Sequence, residues 1–227
     1  MSRKKYLSSF PLLGILFVPL LSVAGSNGEI RIKVAIFSNS ADLETALDLR
    51  DFLLKIGFDA SVFGAKDFNR IVSLGEVDVA IILGGPLAYE GIGEISALYL
   101  DEDVKRRLVK EKGFYGYWIR DIVDEVIVCV VIAGDTREGT KRAEEEYKLR
   151  GVDETILKVS VSLNRDLGKE EVTILREKGF EILLFKGRTL LGRASLRSIS
   201  EISELPFVEE ISPICLSDLK VVLVVVG

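Results

Sequence analysis

The sequence predicts an α/β chain of two successive units: a mostly parallel sheet between layers of helices, then a β-α-β-β-α-β unit. Three observations predict it. The apolar runs 77–83 and 126–132 are continuous rather than alternating, as in strands buried on both faces. Segments of helical period stand between such runs, and a helix between two strands implies parallel pairing. Beyond residue 151 the order becomes strand, helix, two strands about Gly187-Arg188, helix, strand, which closes as an antiparallel sheet with both helices on one face.

Taken in order, Ile30, Ile32, Val34 and Ile36 alternate with Arg31 and Lys33 and predict one strand entering a buried sheet. A helix follows, capped by Asn39 or Ser40, with Leu43, Ala46, Leu47, Leu53 and Leu54 on one face and Gly57 as its stop. Residues 58–63 and 77–83 read as the next strands, the latter ending on Gly84-Gly85-Pro86, with a short helix expected over 92–100. Asp101, Glu102 and Asp103 open a further helix and Lys110 and Lys112 close it, a charge order that complements the helix dipole. Its basic cluster Lys105, Arg106 and Arg107 reads as a solvated face. Phe114, Tyr115, Tyr117 and Trp118 predict a strand or hairpin packed on its neighbours. In the second unit the strands are 156–163, two within 180–196, and 207–211; the helices are 169–178 and 197–205. The boundary falls near 151–155, giving units at 28–151 and 155–214, a leader at 1–24 and an apolar tail at 215–227.

With 48% apolar and 29% charged residues, the 227-residue chain has enough of both for real cores, which excludes disorder. Assigning Arg3, Lys4 and Lys5 to the leader leaves 27 basic against 35 acidic residues, a net charge of −8 that argues against a nucleic-acid partner. There is no His or Gln, four Asn, two Cys and one Met amid abundant Lys, Arg and Glu, the composition of a protein selected for heat. Without His, the Ser-His and Cys-His pairs, most zinc sites and the usual neutral-pH proton shuttle are unavailable. The expectation is a chain with no catalytic residues, metal or cofactor.

The basic triplet, the uncharged run 6–25 and the closing Ser22-Val23-Ala24 read as a signal peptide cleaved before Gly25. Its apolar part is short of the roughly twenty residues that span a bilayer, so an uncleaved leader is the one route to membrane attachment. Export places the protein outside the cytoplasmic membrane, secreted or on the cell surface. A bridge between Cys129 and Cys215 is then open to it, although Cys129 sits in the run 126–132, where a buried thiol is ordinary. The tail Val221-Val222-Leu223-Val224-Val225-Val226-Gly227 is too apolar for water and reads as an added strand, or as a pairing edge for another copy.

Two loops carry the candidate ligand-binding residues. Gly84 and Gly85, with Gly91 and Gly93 after them, lie past the carboxyl end of a central strand, where open α/β sheets receive ligands; a tight strand exit is the alternative. Asp135, Thr136, Gly139 and Thr140 stand between a buried strand and a helix, the setting of a phosphate-cradling loop. The order Gly139-Thr140-Lys141 is wrong for nucleotide binding, and Asp135 and Glu138 would repel the anion; the same residues suit a capping box with Asp135 as cap. Ser217-Asp218-Leu219-Lys220 has Ser-x-x-Lys spacing without its partner motifs, and 101–103 suit a helix start better than Ca²⁺.

Gly84-Gly85-Pro86 together with the stretch 130–140 resembles the Rossmann-like domain of archaeal S-layer and related surface proteins, and is similar to bacterial cell-wall-binding repeats. The resemblance covers about 30–150 and implies an envelope role without catalysis. Val159, Val161, Leu163, Leu175, Gly179, Ala194, Leu196, Ile199, Ile202, Leu205-Pro206 and 208–211 resemble the ferredoxin-like propeptide domain of subtilisin-like proteases, an inhibitor and folding chaperone. The expectation is an exported, S-layer-associated protein of a hyperthermophilic archaeon acting through protein contacts. Its partner is a cell-surface protein. A regulator of a subtilisin-like protease and a small-ligand receptor are the alternatives.

Overall fold

Buried strands of continuous apolar sequence and helices with one apolar stripe assemble, among the described residues, around two mixed five-stranded sheets. The computed structural model describes residues 28–122 and 126–214. The leader, Cys215, Ser217 to Lys220 and the terminal run 221–227 lie outside the described residues, and with them the expectations placed there.

The first sheet contains β2 (Lys33–Phe37), β3 (Asp59–Phe63), β4 (Val79–Leu83), β5 (Tyr115–Ile122) and β6 (Ile127–Gly134), in the order β3-β2-β4-β6-β5. The pairings β2 with β3, β2 with β4 and β4 with β6 are parallel; β5 runs antiparallel to β6 along its whole length. Both faces are covered. Val34, Ile36, Val79, Ile81, Val130 and Ile132 pack under α1 (Leu43–Lys55) and α5 (Arg137–Glu146). Ala35, Phe37, Ala80, Ile82, Cys129 and Val131 pack under α2 (Phe68–Ser73), α3 (Ile92–Tyr99) and α4 (Glu102–Lys110). This double burial is why the strands read as unbroken apolar runs.

In α1 the buried stripe is Thr45, Ala46, Leu49 and Leu53; Leu43 and Leu54, expected on that face, are about half exposed. The helix stops at Gly57, whose φ of +95° favours glycine. The basic cluster of α4 pairs with acids along the helix: Lys105 Nζ lies 2.6 Å from Glu102, Arg106 pairs with Asp103, and Arg107 meets Glu111, just past the helix end, at 3.0 Å. The aromatic cluster forms β5 and divides between the sheet faces, Trp118 beside Phe114 on one and Tyr117 in edge contact with Tyr147 on the other.

The second sheet has the order β1-β10-β7-β9-β8, from β1 (Glu29–Ile30), β7 (Ile156–Leu163), β8 (Glu181–Lys186), β9 (Thr189–Ser195) and β10 (Val208–Pro213). Leu157, Val159, Val161 and Leu163 point inward against Leu175 of α7 (Lys169–Glu177) and Ile199 and Ile202 of α8 (Leu196–Ser203). The single strand expected over 30–36 is instead divided. Glu29 and Ile30 pair parallel to β10, Arg31 N–H donates to the Ile211 carbonyl, and Lys33 enters the first sheet. Arg31 lies 3.0 Å from both Glu29 and Glu210, so the switch is held by tertiary contacts that alternation cannot reveal.

One apolar core runs through both sheets. At its waist α5 loosens into a π-turn over Tyr147–Gly151 and then α6 (Val152–Glu154). Tyr147 is fully buried, its hydroxyl 3.1 Å from Thr155 Oγ1. A Cβ at Gly151 would stand 2.1 Å from the Tyr147 ring, so this close approach requires glycine.

Candidate functional site

In the first sheet the chain leaves β2 toward β3 on one side and returns to β4 on the other, so the strand order reverses between β2 and β4. Such reversals leave a crevice at the carboxyl ends of the strands. Here the crevice encloses about 340 Å³ between the loops after β2, β4 and β6.

The β2–α1 loop forms its floor. Asn39, 3% exposed, accepts a hydrogen bond from the Asp42 backbone N–H through Oδ1 at 2.8 Å, so it shapes the turn before the helix instead of capping it. Asp42 occupies the cap position, yet its side chain makes no capping hydrogen bond. It is 6% exposed, lines the crevice, and its Oδ1 has no hydrogen-bond partner. Burial pushes its carboxyl up, while a hydrogen bond from Asn39 and the charge of Arg137 pull the other way. Ser40, the other expected cap, donates its N–H to Glu90 at 2.9 Å and its hydroxyl to the same carboxylate. These bonds hold the Glu90 carboxyl below its usual range and strap the β4–α3 loop to the β2–α1 loop. Glu90 has φ +58°, a strained conformation that the strap maintains.

The β6–α5 loop forms the opposite wall. Thr136 caps α5, its Oγ1 accepting from Gly139 N–H at 3.1 Å. The cap expected at Asp135 therefore falls one residue later, and with Gly139 at the third helical position the expected capping box with Glu138 does not form. Asp135 Oδ2 accepts instead from Gly113 N–H at 2.8 Å, tying this loop to the α4–β5 connection. Thr140 Oγ1 accepts from Gly134 N–H at 3.2 Å. Arg137 stands at the lip, its guanidinium 3.3 Å from Glu44.

Of the eight candidate residues, Gly84, Gly85, Asp135, Thr136 and Thr140 line the crevice, and Gly91, Gly93 and Gly139 do not. Gly93 lets α3 approach the preceding loop, since a Cβ there would meet the Pro86 carbonyl at 2.5 Å. Gly139 packs against Gly134, where a Cβ would stand 2.2 Å from the Gly139 carbonyl carbon. Gly91 turns the chain into α3 with φ +85°. Sequence reasoning missed Asn39, Asp42 and Arg137. The available signal was Asn39-x-x-Asp42 directly after a buried strand, on the same side of the sheet as the two glycine loops.

No protein-family model matches the sequence, and no curated protein matches it significantly.

Other polar features have structural partners. Glu144, 1% exposed, lies 2.8 Å from Lys148 Nζ, which also meets Asp48 at 2.6 Å and so joins α5 to α1. A cavity of about 460 Å³ opens where the two sheets meet, between Asp78, Ile119, Glu154 and Arg193, and runs out to Val126 and Ile214 at the limits of the described chain. Among the described residues, no cluster of three or more His, Cys, Asp or Glu is arranged to hold a metal ion. No described helix is long and apolar enough to cross a membrane.

Proposed function

We propose that the chain is a non-enzymatic binding protein of the cell exterior that receives a small polar ligand in the crevice between β2, β4 and β6. The observation that carries this reading is Asp42. A carboxylate with 6% exposure and an oxygen without a partner opposes folding, and a chain of heat-selected composition has every reason to lose it unless binding uses it. The strand order supports reading the first sheet and its helices as Rossmann-like, in which this crevice is the usual ligand position. The leader supports export.

Chemical-denaturation midpoints measured with nucleotides, sugars and amino acids test the reading, because a ligand of the native state stabilises it. One class should stabilise the wild type, and Asp42→Asn clearly less at the same concentration. If no class does so, the crevice is not a binding site. Fractionation of native cells tests the location; unprocessed protein in the cytosol would defeat it.

A second reading, contact with a cell-surface protein or a subtilisin-like protease, is favoured by β8. Among the described residues this edge strand pairs with β9 alone, and Leu183 and Phe185 are about half exposed, which suits strand addition by a partner. The order β10-β7-β9-β8 with α7 and α8 supports the ferredoxin-like, propeptide-like fold behind this reading. Adding the protein to such a protease should slow cleavage of a peptide substrate, and Phe185→Lys should relieve the effect; no slowing removes the protease as partner.

A further inference from the structure

We infer that the crevice takes a free α-amino acid, its ammonium group on Asp42 and its carboxylate at Arg137 and the first turn of α5. The inference rests on the crevice being a binding site, as proposed above, and goes on to its chemistry.

The crevice has two electrostatic ends. Asp42 lines the floor and gives this end its negative charge; its Oδ1 is sealed from solvent without a hydrogen bond, so the charge is left for a donor that brings positive charge to the crevice side of the carboxylate. Gly84 borders the carboxylate, a Cβ there standing 3.8 Å from Asp42 Oδ2, although its φ of +135° and the Ala88 Cβ, 2.7 Å from the same point, are what require glycine. The opposite wall is positive. Helix α5 begins there, and its N-terminal N–H groups attract anions. Thr136 takes the N–H of Gly139, whereas those of Arg137 and Glu138 have no acceptor among the described residues. The Arg137 guanidinium stands beside them, and its bond to the largely exposed Glu44 is of the weak surface kind that a bound carboxylate can replace.

Ligands with a single kind of charge satisfy only one end. A phosphate would meet the helix terminus but face the carboxylates of Asp42 and Asp135. A neutral sugar would leave the Asp42 charge uncompensated, and a simple amine would leave the α5 terminus empty. A zwitterion serves both. The volume of about 340 Å³ lies at the lower end for small-molecule sites, which suits one amino acid better than a dinucleotide. Leu87 and Tyr89 line the mouth with 72% and 75% of their surfaces exposed, apolar groups ready to cover an aliphatic side chain.

Isothermal titration of the full chain with L-leucine, 3-methylbutylamine and 4-methylpentanoate tests the inference, since the last two are leucine without its carboxylate and without its amine. L-Leucine should bind, and each analogue at least about tenfold more weakly, the effect of losing one charged hydrogen-bond partner. Asp42→Asn and Arg137→Gln should each weaken L-leucine by a similar factor while keeping the wild-type circular dichroism. Equal binding of L-leucine and 3-methylbutylamine would overturn the zwitterion. Should L-leucine, L-serine and L-aspartate all fail while a sugar or nucleotide binds in a manner abolished by Asp42→Asn, this inference falls and the binding reading stands. If none of these probes binds, both fall.

Discussion

Replacing Asp42 by Asn should make the protein more stable at neutral pH. The native carboxylate is buried, one oxygen lacks a hydrogen bond, and burial raises its pKa above the ordinary 3.8. An unsatisfied buried polar group costs about 1–3 kcal/mol and a charged one more, so Asn, whose amide oxygen inherits the vacancy, recovers only the excess due to the charge. Asn keeps the shape and helix-cap preference of Asp but carries no charge to desolvate, and it forgoes the attraction to Arg137, which is exposed and weak. The net gain is about 1 kcal/mol, equivalent to about 2–4 °C in melting temperature for a protein of this size. The sign of the pH dependence follows from linkage. A carboxyl that holds its proton more tightly when folded opposes folding above its native pKa, and the opposition fades as pH falls to the unfolded value near 3.8. Guanidinium titrations of both proteins near pH 7 and near pH 3 make the comparison. The midpoint of Asp42→Asn should be higher at neutral pH, with the same slope, and should approach that of the wild type in acid. A lower midpoint at neutral pH, or an equal gain at both pH values, would refute the reasoning.

Other substitutions probe the scaffold. Gly151→Ala places a Cβ 2.1 Å from the Tyr147 ring and should cost about 1–3 kcal/mol in denaturant titrations, whereas Gly64→Ala, with open space around it, should fall within about 0.5 kcal/mol of wild type. Thr136→Ala removes the α5 cap and should cost about 1 kcal/mol, readable in the same assay. Burial pushes the Cys129 thiol up to about 12, so alkylation mapped by peptide mass spectrometry should leave it unmodified in native protein at neutral pH and modify it in denaturant. Modification of folded protein at wild-type stability would show that β6 is not buried as described.

The strands β2, β4 and β6 are legible because double burial leaves continuous apolar runs, and helices such as α1 and α7 because they carry their own stops, at Gly57 and Gly179. The change of sheets at Arg31 is not legible. It depends on Ile211 and Glu210, some 180 residues away in sequence, and β1 is too short to show a pattern. The cap of α5 illustrates the same limit: Asp135 has the better capping chemistry in isolation, but Gly113 recruits it and the role passes to Thr136. At the candidate site the glycines drew attention to the right end of the sheet, although Gly91, Gly93 and Gly139 serve close packing and turns. The place of Asp42, three residues after Asn39 at the exit of a buried strand, was a signal for the crevice, but its missing partner is a property of packing.

Mapping where a ligand touches the protein tests the central claim most directly. Backbone ¹H–¹⁵N chemical shifts recorded during titration with L-leucine should move first and furthest at Gly84, Gly85, Thr136 and Thr140, and Asp42→Asn should need at least about tenfold more L-leucine to move them as far. Shifts confined to the junction of the sheets around Asp78, Ile119 and Arg193 would contradict the account, as would crevice shifts that persist unchanged without the Asp42 carboxylate.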